Sequence, residues 1–382
     1  MSRIIFFIAS GLVGYTYVLF PGLVLLRARL RSRPHLSAPI TPRVSVIVAA
    51  RNEARSIGAK LDNLLNLDYP QDRLQVVVAA DGCDDGTDAA AHARGDGRVR
   101  VLSLPRVGKA SALNTAVGVA TGGILVFSDA NSLYARNALR ALVAPFADPD
   151  VGAVAGDQRY LADHAEAAVA TGERLYWDLD RAIKRAESRG GNAISATGAI
   201  YAVRRALFSR VPPGVTDDFA TSTAVIAQGK RLVFAPEAIA FEPVARSGRD
   251  EFARKVRVMT RGLNAVVARH ELLDPRRYGF YALQLLSHKV LRRLMALPLA
   301  ALALTAAVEA RRSRAFRALA AAQGALYGLG TAGLFLRRSG GWRSRVLALP
   351  AYFCLVNGAS LAALWNVLRR REIDRWEPRR SA

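Results

Sequence analysis

The sequence predicts an α/β sandwich with parallel strands, held between membrane-spanning segments. Three features predict it. Apolar, β-branched runs alternate with amphipathic helical stretches through the middle of the chain, the longest apolar runs lie towards its two ends, and acidic residues recur where strand-like runs break into turns.

Ile4 to Leu26 is apolar apart from small residues, Tyr, Thr and Pro21, and at about 1.5 Å per residue it is long enough to cross a bilayer. A cleaved signal peptide is the competing reading, but the run is too long and ends Leu25-Leu26-Arg27 rather than in small residues. Pro39 and Pro42 mark a linker. Val44–Ala49 then reads as a buried strand, and Ala54–Leu65 as a helix with Ile57, Leu61, Leu64 and Leu65 on one face. The alternation continues with strands at Leu74–Ala80, Val99–Leu104 and Ile124–Ser128, and helices at Thr87–Arg94, Ala110–Ala120 and Ala135–Phe146.

Between Leu161 and Arg189 a long helical run places Tyr176, Asp180, Lys184 and Glu187 on one face, with Trp177 beside them. An Asp180–Lys184 ion pair within the helix is expected; a bridge between acceptor and membrane is the other reading. A helix follows at Phe219–Gln228. Farther on, Leu283, Leu286, Val290 and Leu294 recur at helical spacing with His288, Lys289, Arg292 and Arg293 between them, the pattern of an amphipathic interfacial helix. Three apolar segments follow, Met295–Val308, Ala315–Leu336 and Val346–Leu368; the last two are long enough to span, and the first only if it borrows from the stretch before it. The organisation expected is an N-terminal span and basic linker over 1–40, a soluble domain over 41–265, an amphipathic region over 266–294, and C-terminal spans with a basic tail over 295–382.

The formal charge of +23 does not imply nucleic acid. The basic residues cluster beside the apolar spans, at Arg27, Arg29, Arg31 and Arg33 and again at Arg369, Arg370, Arg371, Arg375, Arg379 and Arg380, without interleaved aromatics. Anionic lipid headgroups fit that placement, and no nucleic-acid motif is present. The positive-inside rule puts the middle domain in the cytoplasm, where nucleotide-activated substrates are found, making this an integral membrane protein of the inner or plasma membrane. Three C-terminal spans would carry the arginine-rich tail to the other side, against the same rule, so the number of spans stays open. Cys83 and Cys354 form no disulfide framework, no Cys/His zinc spacing occurs, and none of the five His residues sits in a ligand constellation.

Asp81, Asp129 and Asp218 each stand where an apolar run or a proline turn gives way to a polar one. Ligands of alternating strand–helix folds gather beyond the carboxyl ends of parallel strands, so carboxylates there can converge on a metal, a phosphate ester and an attacking hydroxyl. The runs Ser45-Val46-Ile47-Val48-Ala49-Ala50-Arg51-Asn52-Glu53, Asp81-Gly82-Cys83-Asp84-Asp85-Gly86-Thr87 and Gly108-Lys109-Ala110-Ser111-Ala112-Leu113-Asn114 come in sequence. Ser128-Asp129-Ala130-Asn131, Thr197-Gly198-Ala199-Ile200-Tyr201-Ala202-Val203-Arg204-Arg205 and Thr216-Asp217-Asp218 follow. In this order and spacing they resemble glycosyltransferase family 2 over about residues 41 to 265. With the flanking spans, the chain resembles the membrane-bound branch, which includes cellulose, hyaluronan and poly-N-acetylglucosamine synthases and ceramide glucosyltransferases.

The resemblance implies a GT-A domain that takes a nucleotide-sugar, expected to be a UDP-sugar, and passes the sugar to a lipid or glycan acceptor. It implies donor contacts at Ala50, Arg51, Glu53, Asp81, Lys109, Asp129 and Arg257, with Asp81 accepting from the N3–H of uracil. Read from the residues alone, Asp81 could instead satisfy nearby backbone amides. Asp129-Ala130-Asn131 corresponds to the family's Asp-x-Asp motif for Mg2+ or Mn2+. Asn131 keeps a carbonyl oxygen without the negative charge, so the metal needs ligands from the substrate phosphates. Asp218 is implied to be the general base, since an alcohol is barely acidic at neutral pH and must lose its proton as the anomeric carbon is attacked from the face opposite the diphosphate. One such displacement inverts the anomeric configuration.

Gly198, Asp217 and Arg254 are implied to line the acceptor region, although Asp217 is also placed to cap the helix after it. Asp84 and Asp85 are expected to shape their turn and cap a helix, and Asn114 to secure a loop. Arg254-Lys255-Val256-Arg257-Val258 departs from the Gln-x-x-Arg-Trp of membrane-bound members: the Arg-x-x-Arg frame keeps a phosphate contact at Arg257, whereas Val258 cannot stack on a sugar as Trp would. Membrane lipids and a partner subunit or second copy complete the expected partners. A catalytically silent scaffold subunit of a polysaccharide-synthesis complex is the alternative, and the intact acids argue against it.

Overall fold

A computed structural model describes residues 1–161, 167–243, 248–335 and 342–371, and the side chains of 160–178, 244–250, 335–346 and 348 are not described. The expected basic tail at Arg375, Arg379 and Arg380 lies outside the described residues, as do the side chains of Tyr176 and Trp177. The chain divides into a sheet unit, residues 28–161 and 184–243, and a helical unit, residues 1–27, 167–183 and 248–371.

The sheet unit holds Val44–Ala50 (β1), Leu74–Asp81 (β2), Val99–Leu104 (β3), Ile124–Asp129 (β4), Leu133–Tyr134 (β5), Val151–Leu161 (β6), Tyr201–Arg204 (β7) and Arg231–Pro243 (β8). Their order across one sheet is β3-β2-β1-β4-β7-β6-β8-β5. Strands β3, β2, β1 and β4 are parallel, joined through helices Ala54–Leu65, Thr87–His92 and Lys109–Val119. All seven residues of β1 are buried, which is why its sequence is an unbroken small and apolar run with the single hydroxyl of Ser45 bonded to Gln75. Ile57, Leu61 and Leu64 present the helical stripe read from the sequence to the β1–β2–β4 face, and all three are fully buried.

The other half departs from the purely parallel expectation. Strand β7 runs antiparallel to both β4 and β6, β5 antiparallel to β8, and β6 parallel to β8. Neither β5, two residues long, nor β7, four, can show a period, and the β6–β8 register shifts between Phe234 and Ile239, where β8 carries Pro236 and Glu237. Register fixes where the acids emerge. Ala49 of β1 lies opposite Ala79 of β2 on one side and Asp129 of β4 on the other, so Ala50, Asp81 and Asp129 leave the sheet at one carboxyl edge.

Among the described residues two helices are long and apolar enough to cross a membrane, Ser2–Leu30 and Leu349–Leu368. Phe280–Leu294 and Ala296–Glu309, bent by 51° at Met295, pass the same test only together, as a broken span or a re-entrant loop. The sequence suggested an interfacial helix at Leu283–Leu294, and Met295–Val308 as a span only if it borrows from that stretch. Both helices of the pair run antiparallel along the first helix. Arg27 sits over the Phe280 ring at 4.5 Å, Tyr15 Oη lies 2.7 Å from Ser287 Oγ, and Arg3 Nε donates to Glu309 Oε2 at 2.9 Å. Arg314–Phe335 is helical as expected, and among the described residues it is not one of the candidate spans. The expected Asp180–Lys184 pair does not form. Asp180 faces His288 at 3.4 Å and Arg292 at 3.5 Å, and the Lys184 ammonium lies over the Phe234 ring at 5.5 Å.

Candidate active site

The site is built from loops at the carboxyl edge of the parallel strands. Asp81 ends β2 and is 1% exposed. Its Oδ1 accepts from the Val107 and Gly108 amides at 2.7 and 3.1 Å, and its Oδ2 from Gly108 at 3.1 Å. The next residue makes this approach possible. Gly82 has φ +58°, and a Cβ there would stand 2.8 Å from the Arg106 nitrogen, so only glycine lets the Arg106–Gly108 loop lie against β2. Asp81 therefore anchors the loop that launches the Lys109–Val119 helix, which is the amide-satisfying arrangement the residues alone allowed.

Arg51, 7% exposed, donates to the carbonyls of Asp81 and Gly82 at 2.7 and 2.6 Å, tying the ends of β1 and β2 together. Glu53 is buried, its amide donating to Thr87 Oγ1 at 2.8 Å and its carboxylate accepting from Ser56. The Ala50 side chain is fully buried, so only its backbone could face a ligand; its carbonyl accepts from Cys83 Sγ at 3.5 Å. Asp85 caps as expected, taking the Thr87 amide on one oxygen and the Ala54 amide on the other. Asn114 exchanges two 2.9 Å hydrogen bonds with the backbone of Val211, securing the loop that leads to Thr216-Asp217-Asp218.

Lys109 brings the acids together. Its ammonium lies 2.9 Å from Asp129 Oδ1 and 3.1 Å from Asp217 Oδ1. Burial alone would lower its proton affinity, but Asp129, Asp217 and Asp218 outweigh that and hold it well above the usual lysine range. Asp217 thus spends its carboxylate on Lys109. Thr216 occupies the N-cap of the Asp217–Ala227 helix without a side-chain cap bond, so the expected capping by Asp217 is corrected. Asp218, half-buried next in line, accepts from the Phe219 amide at 2.7 Å.

Gly198 belongs to the same cluster. A Cβ there would meet Asp129 Oδ2 at 3.0 Å, so the Thr197–Ala199 loop lies against the carboxylate. Asn131, half-buried, is two residues beyond Asp129. One carboxylate and one amide carbonyl are hard oxygen donors of the kind Mg2+ and Mn2+ take, too few to hold either ion alone. No group of three or more His, Cys, Asp or Glu side chains that could hold a metal occurs among the described residues. Arg254 and Arg257 lie on the Gly248–Ala268 helix of the helical unit, and Arg254 is gripped by Glu251 at 2.8 Å through two nitrogens.

Two residues escaped sequence reasoning. Tyr201, fully buried at the start of β7, has its phenol pushed well above the ordinary tyrosine range by burial and then by Asp217 and Asp218, so it stays protonated beside the acids. Its place within the Thr197–Arg205 run was the available signal. Lys60, on the apolar stripe of the Ala54–Leu65 helix, is fully buried behind Asp129.

The family model described as Glycosyltransferase like family 2 matches residues 42–265. The chain belongs to glycosyltransferase family 2. With its mixed sheet it is a GT-A glycosyltransferase, an assignment with which an inverting mechanism is consistent. A solved structure, the mannosyltransferase PcManGT from Pyrobaculum calidifontis in complex with GDP-Man and Mn2+, is similar over 96% of this chain and 100% of that one, at 27% identity and a TM-score of 0.73. The probable glycosyltransferase YdaM of Bacillus subtilis (strain 168) is 26% identical over 217 residues, 53% of this chain and 50% of that protein. The beta-monoglucosyldiacylglycerol synthase of Synechocystis sp. (strain ATCC 27184 / PCC 6803 / Kazusa) is 33% identical over 118 residues, 30% of this chain and 25% of that protein. The chain spans half or less of the length of these two family 2 relatives.

Proposed function

We propose that the chain is a membrane-anchored inverting glycosyltransferase that takes a hexose from a nucleoside diphosphate donor and passes it to the hydroxyl of a lipid or glycan acceptor. The observation that carries this is the convergence of Asp129, Asp217 and Asp218 around Lys109 at the carboxyl edge of the parallel strands.

In this reading Asp218 accepts the proton of the acceptor hydroxyl as its oxygen attacks the anomeric carbon. The Lys109 ammonium stabilises the charge that develops on the departing diphosphate. Asp129 and the Asn131 carbonyl would hold Mg2+ or Mn2+, with donor phosphates completing its ligands; when bound, the metal supplies Lewis-acid stabilisation of the leaving group. Asp217 orients Lys109, and Gly198 leaves room for Asp129 beside the incoming sugar. Arg257 is proposed to reach the diphosphate and Arg254 the acceptor region. Asp81 and Arg51 shape the donor pocket by holding the loops at the ends of β1 and β2, and Ala50 and Glu53 line it.

Asp81 is proposed to read the base, a carboxylate that accepts the Val107 and Gly108 amides having further lone pairs for the N3–H of uracil. The similar solved structure carries GDP-Man, so guanine donors join uracil donors as candidates. The apolar Ser2–Leu30 and Leu349–Leu368 helices support anchoring, with the catalytic domain on the cytoplasmic side by the arginine cluster after the first span. The proposed organisation keeps the sequence boundaries, 41–265 for the catalytic domain and 266–294 as an amphipathic region whose Phe280–Leu294 helix continues, bent by 51°, into Ala296–Glu309. A partner subunit or second copy is proposed where the acceptor is a growing polymer.

Nucleoside diphosphate release by the purified, detergent-solubilised protein, measured over UDP- and GDP-hexoses with Mn2+ or Mg2+, tests the reading. Metal-dependent release from one donor is expected. Nucleotide binding with no release from any donor, even with lipid extract and oligosaccharides supplied as acceptors, would instead favour the silent scaffold.

A further inference from the structure

Lys60 stands where an apolar residue is expected. It shares the inward stripe of the Ala54–Leu65 helix with Ile57, Leu61 and Leu64, and like them it is 0% exposed. Burying an amine costs several kcal/mol unless its hydrogens are bonded, so the partners it finds there indicate its purpose. It donates to Ser128 Oγ at 2.6 Å and to the Ser132 carbonyl at 2.6 Å, and it lies 4.1 Å from the centre of the Tyr134 ring.

Those two serines bracket Asp129-Ala130-Asn131. Both hydroxyls also reach the Ala199 carbonyl, at 3.1 and 3.2 Å, and Ser132 Oγ donates to the Asp129 carbonyl at 2.9 Å. Ala199 follows Gly198, whose backbone lies against Asp129 Oδ2. One buried amine thus ties the Ala54–Leu65 helix to both ends of the Asp129 turn and, through the serines, to the loop that faces the Asp129 carboxylate. No chemistry assigned above uses it.

We propose that Lys60 is a positioning residue that holds the Asp129–Asn131 turn in the shape that receives the divalent cation and the donor phosphates. The inference rests on reading that turn as the metal site. Asn131 makes the requirement sharper: with one charge where the motif usually has two, the site depends more on the placement of its oxygens than on attraction. Groups behind metal ligands commonly control affinity in this way.

Lys60→Met tests it, since methionine fills a similar unbranched volume and removes the amine. Packing alone predicts opposing effects on stability, since an apolar side chain replaces a buried amine while Ser128 Oγ and the Ser132 carbonyl lose a donor. Positioning predicts weaker metal binding in the folded protein, whichever of these prevails. The measurement is Mn2+ binding by electron paramagnetic resonance on the full-length detergent-solubilised protein, with GDP and separately with UDP, alongside thermal unfolding and an Asp129→Ala control. We expect Lys60→Met to weaken nucleotide-supported Mn2+ binding about tenfold at a temperature where the variant is folded. Unchanged or tighter Mn2+ binding in a stable Lys60→Met protein overturns the inference and would show the amine acting only as a repelling charge or a filler. Ser128→Ala, which deletes one acceptor of the amine and leaves the lysine, is expected to weaken binding in the same direction and carries the test should Lys60→Met fail to accumulate; unchanged Mn2+ binding in it would overturn the inference equally. If wild-type protein shows no nucleotide-supported Mn2+ binding, or Asp129→Ala leaves it intact, the metal-turn reading falls and this inference with it.

Discussion

Replacing Lys109 with methionine should destabilise the protein, and Mn2+ should restore part of the loss. The ammonium stands 2.9 Å from Asp129 and 3.1 Å from Asp217, with side-chain exposures of 13% for Lys109, 31% for Asp129 and 11% for Asp217. Removing one partner of a buried ion pair costs about 3–5 kcal/mol, because the remaining charge is left uncompensated. Asp129 is close to one-third exposed and water screens its share, so a net loss of about 2–3 kcal/mol is expected. At roughly 2–4 °C per kcal/mol for domains of this size, the unfolding temperature should fall by about 4–12 °C. Mn2+ with GDP or UDP brings positive charge back to Asp129 and should recover a larger part of the loss in the variant than it adds to wild type. The assay is thermal unfolding in detergent, with and without metal and nucleotide. An unchanged unfolding temperature in Lys109→Met would refute the claim that Lys109 holds the acids together, and equal metal-induced gains in both proteins would refute the shared location of metal and ammonium.

Three further outcomes follow from the geometry. Gly198→Ala places a Cβ 3.0 Å from Asp129 Oδ2, so the carboxylate must move a few tenths of an ångström; a raised half-saturating Mn2+ concentration with an unchanged fold by circular dichroism is expected, and unaltered metal dependence would contradict it. Asn114→Ala removes both bonds to Val211 and should cost about 1–2 kcal/mol, read as a lower unfolding temperature together with faster proteolysis in the loop before Asp217. Burial pushes the Lys60 amine down to about 7, against the opposite pull of Asp129 and Glu242, whereas an unfolded lysine titrates near about 10.4. Between those values the unfolded chain binds more protons, so this residue's contribution makes stability rise with pH from about 7 to about 10 and level off above, by at most about 5 kcal/mol. Wild type should gain on Lys60→Met over that window, and parallel curves would contradict the assignment.

The parallel half of the sheet was legible because β1, β2 and β4 are buried on both faces and read as unbroken apolar runs with helical stripes between them. The antiparallel half was not, since β5 and β7 are too short to show a period and Pro236 and Glu237 interrupt the apolar pattern of β8 in the sequence. Asp81, Lys109, Asp129, Asp217 and Asp218 were all found from turns after strands and from motif order. Their division of labour needed coordinates: that Asp81 accepts the loop amides of Val107 and Gly108 and that Asp217 meets Lys109 depends on distances between residues 26 to 108 positions apart in sequence. Lys60 was invisible for a simpler reason. A charged residue on an apolar stripe reads as a solvated edge until Ser128 and Ser132 are seen to enclose it. Likewise the bent pair was divided in two by His288, Lys289, Arg292 and Arg293, which gave Leu283–Leu294 an interfacial look; packing against Ser2–Leu30 joins it to Ala296–Glu309.

The most direct test of the account is sugar transfer by Asp218→Asn measured beside its nucleotide binding. Asparagine keeps the shape of the side chain and cannot take a proton, so with the productive donor and acceptor the transfer rate should fall by about 10²–10⁴-fold while binding of GDP or UDP with Mn2+ stays at the wild-type level. Transfer at the wild-type rate would contradict the assignment of Asp218 as the base and, with it, the mechanism built on the cluster around Lys109.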